Sequence, residues 1–396
     1  MGYNFVIQPF HDFRKWENEG YRTRDAHFFE HIRQRDDVDK VIIINRPLSL
    51  AERILKRKDK KYSKGEVILT SKKFEITKLD SKTYIFDFYP SDFLSVIIQK
   101  RKWWDTSLRN LELQKNIVKG IKYLKIHDYV LLIQNPMAIG LSEGLQPKTL
   151  VFDTIDNWLE HEQMKDIKPI LEQNYHEIDV KSDLIISVSE NNRKLFPNNN
   201  NFYEIPNGVD FDRFDINIES TDKNIIGYVG KIQDRFDFDL LEILASSHKN
   251  CEFRIYGPIY SGKKEAERLS SNNENIHFLG NVSYDELPML LNELSIGIIP
   301  HKVNEFTQSM NPLKAYEYLA AGIPVVSTGV NGVSQLSTYL RIGSNKEEFT
   351  LEFDKLLLQV STINKEDVRK SMDRGVSWSE KVNKLFSLIE EKNNNV

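Results

Sequence analysis

With 396 residues, 40% of them hydrophobic and 28% charged, the chain is too long for one ordinary core and too apolar for a disordered one, so two domains are expected. A single cysteine, Cys251, excludes an internal disulfide and fits a reducing compartment. The opening MGYNFVIQPF lacks the basic start and long apolar stretch of a secretory signal. No run of about 18 uncharged apolar residues occurs, so the expectation is a cytoplasmic chain without a transmembrane helix.

The net charge of −4 is unevenly spread: residues 1–150 carry a balance of +9 and residues 151–396 one of −13. Short β-rich apolar runs alternate with longer amphipathic stretches, the pattern of an α/β fold. In the first half the predicted strands are Tyr3–Ile7, Lys40–Asn45, Glu66–Thr70, Thr83–Phe88, Tyr129–Gln134, Thr149–Asp153 and Leu184–Val188. Several are continuous apolar runs, as in parallel sheets covered on both faces. Predicted helices include Arg24–Arg35 and Leu108–His127.

The segment His11 to His27 follows the first strand and is expected to form a mobile loop. Its Arg22 and Arg24 suit phosphate groups, while Arg24 and Asp25 equally suit a helix's first turn. Basic clusters occur at Arg53–Glu66, at Lys72-Lys73 and at Lys100-Arg101-Lys102-Trp103-Trp104. Basic residues beside tryptophans fit an anionic membrane surface, and they fit equally a solvated face with two partly buried rings. Gln134-Asn135-Pro136 ends one strand. Asp153 and Asp156 end another, where open α/β sheets place ligands, so both are expected to face a cleft. Asp156 is the candidate ligand contact, with N-capping of a helix near Trp158 as its alternative.

Asn198–Asn201 reads as a surface turn, followed by a short strand and the tight turn Pro206-Asn207-Gly208-Val209-Asp210. The polar stretch Asn217–Asn224 reads as a linker. A second α/β series then has strands at Ile225–Val229, Cys251–Tyr256, Asn275–Leu279, Ile296–Pro300 and Ile323–Ser327. Ser283 with Glu286 forms a capping box and is expected to start a helix.

The most informative segment runs from Ser309 and Met310 to Ser327. Asn311 is a good N-cap, Pro312 suits the first helical position, Gly322 suits a left-handed C-cap, and Pro324 stops continuation. The expectation is a short helix from Pro312 to Ala321. Its unpaired amides and positive end suit a diphosphate. Lys314 in the first turn opposes the helix dipole, a placement that an anion would relieve. Glu317 lies further in, placed to accept hydrogen bonds from sugar or ribose hydroxyls. Surface Lys and Glu on a well-capped core helix are the bland alternative.

This segment, Ser309 to Ser327 with its words Pro-Leu-Lys and Glu-Tyr-Leu-Ala-Ala-Gly-Ile-Pro-Val-Val, resembles the retaining glycosyltransferases of the GT-B fold. It is most similar to the GT4-type family and its capsule and cell-wall polysaccharide branch. The resemblance implies two Rossmann-like domains facing each other across a cleft. Residues 1–205 would bind the acceptor, 206–375 would bind the nucleotide sugar, and 376–396 would cross back to the first domain as a helix. Of the family's two glutamates, seven residues apart, Glu317 matches the second and Ser309 stands at the first. Gly230-Lys231 is similar to the strand-then-Gly-basic element that touches the diphosphate. Asp237 stands where a second basic residue is expected, which leaves Arg235 to take over that charge. Gly280, Asn281 and Val282, with Tyr256 or Gly257, match the turn whose backbone recognises the base. Met310, Asn311, Pro312 and Leu313 complete the implied donor site.

The implied activity is transfer of a hexose-type sugar from a nucleotide diphosphate sugar, UDP favoured, to a glycan or lipid-linked glycan, with retention. Glu317, Lys314, Lys231 and Asp156 are the implied catalytic set. No closely spaced His/Cys set and no Asp-x-Asp after a strand occurs, so no metal and no other cofactor is expected. Two alternatives are a nucleotide-sugar 2-epimerase and a non-catalytic nucleotide-sugar-binding protein. A dehydrogenase is disfavoured by the lack of G-x-G-x-x-G after a strand, and nucleic-acid binding by the lack of a recognisable module.

Overall fold

The computed structural model describes residues 2–55, 64–215 and 224–394. The middle of the basic run Arg53–Glu66 and nearly all of the expected linker Asn217–Asn224 lie outside the described residues. The chain divides into two compact units, Met1–Ile205 with Val382–Val396, and Pro206–Lys381.

The first unit is built on a nine-stranded sheet among the described residues. Its strands are β1 (Tyr3–Gln8), β2 (Val38–Ile44), β3 (Glu66–Thr70), β4 (Phe74–Lys78), β5 (Thr83–Phe88), β6 (Val130–Ile133), β7 (Thr149–Thr154), β8 (Leu184–Ser187) and β9 (Phe202–Glu204). They lie in the order β3-β4-β5-β2-β1-β6-β7-β8-β9. All neighbours are parallel except β3–β4 and β4–β5, which are antiparallel. β1, β2, β6, β7 and β8 are apolar and largely buried because helices cover both faces. β4 is the unexpected strand. Its FEITK alternates, and pairing with β5 adds an antiparallel edge to a sheet predicted to be parallel.

One further expectation is corrected. Residues 11–27 do not form a mobile loop: Phe13–Glu19 and Arg24–Gln34 are helices, joined through Gly20 at φ 77°. Phe13, Trp16, Tyr21 and Phe29 pack there ring against ring, which pins the segment. The expected helix Leu108–His127 is present as Leu111–Tyr123, which Asn110 caps by accepting from the Glu112 and Leu113 amides, and Lys102–Leu108 is a separate helix before it. The last helix, Trp378–Asn394, joins the first unit from Val382 onward. There the Phe386 ring lies 5.1 Å from Tyr3 and 5.3 Å from Phe5, and Arg35 sits 4.0 Å over its face.

The second unit holds β10 (Ile225–Val229), β11 (Glu252–Tyr256), β12 (Ile276–Gly280), β13 (Ile296–Ile299), β14 (Val325–Thr328) and β15 (Leu340–Gly343). All six are parallel, in the order β12-β11-β10-β13-β14-β15. Renumbered from one, this is 3-2-1-4-5-6, the doubly wound Rossmann order, whose ligand crevice opens between the first and fourth strands. Alternation along β10 serves both faces. Ile225 packs with Ala315 and Leu319 on one side, and Ile226 and Tyr228 pack with Leu240 and Ile255 on the other. Among the described residues no helix is long and apolar enough to cross a membrane.

Candidate active site

The carboxyl ends of β10, β11 and β12 are joined by glycines. The Gly230 amide donates to the Tyr256 carbonyl at 2.9 Å, and the Gly257 amide donates to the Gly280 carbonyl at 2.7 Å. All three glycines have positive φ: 149° at Gly230, 137° at Gly257 and 76° at Gly280. A Cβ at Gly257 would fall 2.0 Å from the Gly230 carbonyl oxygen, so only glycine lets these two strand ends close together. The resulting edge is bare backbone, a surface that a flat base or a phosphate can approach closely.

Against this edge lies the helix Leu313–Ala320. Its N-cap is Pro312, with φ −75° and ψ 110°, and not Asn311 as the sequence suggested. Asn311 is engaged elsewhere: its side-chain oxygen accepts from the Asn207 amide at 3.0 Å, while its carbonyl accepts from the Asn207 side chain. The Pro-Asn-Gly turn at 206–208 thus holds the approach to the helix. No side chain caps this end; the Ala315 amide donates to the Pro312 carbonyl at 3.1 Å, and the positive end of the helix faces the glycine edge. Gly322, at φ 80°, ends the helix.

Lys314 reaches back across the Gly230 edge. A Cβ on Gly230 would meet its Cε at 3.0 Å and its Nζ at 3.2 Å, and the ammonium stands 4.8 Å over the Tyr228 ring. Desolvation, with Arg235 adding repulsion and Glu317 opposing, brings its pKa down to about 7. Arg235 shares the site. Its Nε is buried without a hydrogen-bond partner, and its carbonyl takes the Lys302 amide at 2.7 Å, which fixes its segment. His301 lies between, fully buried and 3.3 Å from the Tyr228 hydroxyl. Burial, then Lys314 and Arg235, hold its imidazole neutral. Among the described residues, Lys314 and Arg235 face one nearby carboxylate, Glu317.

Glu317 reaches the buried Tyr284 hydroxyl, whose pKa rises well above its usual value through burial and then the Glu317 charge. At the next residue, the Tyr318 hydroxyl accepts from the Val229 amide at 2.6 Å and ties the helix to β10. Lys231 follows Gly230, and its carbonyl accepts from the Tyr228 hydroxyl at 3.1 Å.

The structure therefore brings Gly230, Lys231, Arg235, Tyr256, Gly257, Gly280, Lys314 and Glu317 to one edge of the sheet. Asn281 and Val282 continue from Gly280 as a loop, Asn281 exposed. Ser309 turns inward: its hydroxyl donates to the Phe306 carbonyl at 2.6 Å, and it closes the short helix Glu305–Gln308. The Met310 carbonyl accepts from Asn331 at 3.1 Å. Asp237 is no charge partner here; it caps the helix Phe238–Ser247 and pairs with Lys346 at 3.1 Å. The box of Ser283 and Glu286 forms reciprocally, at 3.2 Å each way, but closes a turn, and the helix starts only at Leu287.

Tyr228, His301 and Tyr284 escaped the sequence reading. His301 was findable, since it directly follows the predicted strand Ile296–Pro300. Tyr284, inside a capping box, carried no signal.

Residues 223–357 match a family model described as "Glycosyl transferases group 1". The matched residues lie within the second unit. The chain is also similar to a putative teichuronic acid biosynthesis glycosyltransferase, TuaH, of Bacillus subtilis (strain 168), 26% identical over 213 residues. That match covers 50% of this chain and 52% of the relative, so the chain spans about half the length of the curated relative it matches. The solved structures it resembles show the GT-B fold of two Rossmann-like units. Sucrose-phosphate synthase (tll1590) from Thermosynechococcus elongatus superposes with a TM-score of 0.67 at 12% identity, covering 100% of both chains. TarM gives 0.65 at 14%, covering 98% of each. Anabaena Alr3699/HepE, solved with UDP and glucose, gives 0.64 at 11%, covering 98% of this chain and 100% of the other. The clustered cations and the glycine edge both lie within the residues that match this family model.

Asp156 belongs to the other unit. Its carbonyl accepts from the Tyr175 hydroxyl at 3.3 Å, and capping of the next turn falls to Asn157, which accepts from the Leu159 amide at 3.0 Å. Asp153 does not face open space. It is fully buried and takes the Arg24 guanidinium through Nε at 3.0 Å and Nη2 at 2.9 Å, with Gln134 donating at 3.0 Å. Arg24 is thereby committed to Asp153. Among the described residues no group of three or more His, Cys, Asp or Glu side chains is placed to hold a metal ion.

Proposed function

We propose that the chain is a retaining glycosyltransferase that moves a hexose-type sugar from a UDP-sugar to a hydroxyl of a glycan or lipid-linked glycan in cell-surface polysaccharide synthesis. The observation that carries this reading is the pair Arg235, whose buried Nε has no hydrogen-bond partner among the described residues, and Lys314, desolvated with Glu317 opposing, at the switch point of a Rossmann sheet. A diphosphate supplies an anion to this pair.

As the bond from the anomeric carbon to the diphosphate oxygen breaks, negative charge grows on the leaving group. Lys314, Arg235, Lys231 and the first helix amides meet it, and they interact more strongly with the departing diphosphate than with the intact donor. The acceptor oxygen bonds to the anomeric carbon on the face the diphosphate leaves, and its proton passes to the departing phosphate. Glu317 holds a hydroxyl of the donor, oriented by Tyr284. Because protein cations supply the positive charge, the proposed reaction uses no metal and no other cofactor. Asp156 is assigned to the acceptor. The chain is placed in the cytoplasm, at the inner face of the membrane. The naming of UDP in the Alr3699/HepE complexes and of teichuronic acid in the Bacillus relative supports the choice of donor and pathway class.

The test measures release of UDP from UDP-sugars with and without lipid-linked glycan acceptors, after a thermal-shift screen of UDP, GDP, dTDP and CMP. The expected result is stabilisation by UDP and acceptor-dependent release. Epimerised sugar in the absence of acceptor, or nucleotide binding without release, would refute transfer.

A further inference from the structure

The first unit carries a helix turned inside out. Leu94–Gln99 has no buried residue, and its three largest aliphatic side chains, Leu94, Ile97 and Ile98, are 64%, 50% and 75% exposed. They fall at i, i+3 and i+4, the spacing of one face, and that face ordinarily points to a core. The neighbouring helix Leu50–Leu55 touches it and adds Ile54, 59% exposed. Four bulky aliphatic groups thus project from two adjoining helices.

The rim is basic. Lys100 leaves the helix at φ 50°, a conformation that side-chain-bearing residues rarely adopt, and starts the exposed triplet Lys100, Arg101, Lys102. Arg101 makes one exposed pair with Asp166 at 3.2 Å, and Asp92 is the other acidic group nearby. Behind the helix Trp103 is buried, and Trp104 keeps a buried indole N–H without an acceptor. Both tryptophans, with Val96, Ile97 and Lys100, line a cavity of 580 Å³.

Exposed aliphatic groups in a plane, a cationic rim and indoles just behind are the three contributions that hold a helix in the headgroup layer of a bilayer. We infer that the face formed by Leu94–Gln99, Ile54 and Lys100–Lys102 docks on an anionic lipid bilayer, with Leu94, Ile97 and Ile98 entering the acyl boundary. This deepens the proposed function, since it would bring the transferase to a lipid-linked acceptor, but it stands on the first unit alone.

The experiment floats the full chain with vesicles of phosphatidylcholine, with or without phosphatidylglycerol. Binding is expected to the anionic vesicles and to fall with added salt. Lys100→Gln and Lys102→Gln should each weaken it about fivefold, and Ile97→Ser with Ile98→Ser at least about tenfold. All four positions are exposed, so unchanged melting temperatures are expected. Wild type that stays unbound from anionic vesicles overturns the inference, as does equal binding by the Ile97→Ser, Ile98→Ser variant. A concentration-dependent dimer lost in that variant, without vesicle binding, would assign the face to a second copy and overturn it too. UDP thermal shifts on the same samples keep the questions apart: a UDP shift without flotation sinks only membrane docking, and flotation without a UDP shift sinks only the donor reading.

Discussion

The two sheets end in opposite electrostatic states. At the carboxyl edge of the first, each buried charge already has its opposite: Arg24 with Asp153, Arg14 with Asp87, and His11 with Asp25. Asp25 shows how complete this is. Burial opposes its charge, yet the His11 ring and the hydrogen bonds from His11 hold it at about 2. At the edge of the second sheet, Lys314 and Arg235 stand desolvated with no ion-pair partner among the described residues. A buried pair needs nothing from outside, whereas a buried lone cation is costly until a ligand completes it. The first edge is therefore electrostatically complete within the fold, whereas the second is not.

The contrast is sharpest if one cation is removed from each edge. Arg24→Ala should strand the Asp153 carboxylate and cost about 3–5 kcal/mol, read as an earlier urea transition by tryptophan fluorescence. Four of the five tryptophans, Trp16, Trp103, Trp104 and Trp158, lie in this unit. Lys314→Ala should leave stability unchanged or raised at pH 7 and lower kcat about 100-fold or more; parallel losses of folding in both variants would erase the distinction. Gly257→Ala tests the backbone side of the second edge. The new Cβ must push the Gly230 carbonyl aside at a cost of about 2 kcal/mol, with weaker UDP binding in the thermal-shift assay.

The smallest effect is a proton. Lys314 has a pKa of about 7 in the fold and an ordinary value near 10.5 when unfolded. Between these limits the unfolded chain binds more protons, so stability of the free protein rises with pH over that window. A bound diphosphate restores the charge, so UDP binding at pH 8 should take up close to one proton and weaken as pH climbs above 7. Calorimetry in two buffers of different ionisation enthalpy measures this. Zero uptake, or uptake retained by Lys314→Ala, would break the assignment.

Much of this was legible because strand ends and helix caps are written locally. Apolar runs marked most strands of both sheets, and the Gly and Pro residues around 312–324 marked one helix and its exit. What escaped depends on partners far along the chain. Nothing local tells that Asn311 turns to Asn207, that Asp153 is spent on Arg24, or that Asp237 serves a helix. β4 was hidden because its short polar-apolar alternation becomes a strand only when β5 supplies hydrogen bonds, and residues 11–27 looked loose because the rings that pin them are scattered.

One feature of the chain path bears on how the molecule matures. Phe386 and its neighbours cover Tyr3 and Phe5, yet the whole second unit is synthesised between them. On the ribosome the first unit waits with an aromatic flank uncovered until Phe386 emerges. A product stalled or clipped before that point thus carries a visible mark of incompleteness, open to chaperones and proteases, even after its second unit has folded.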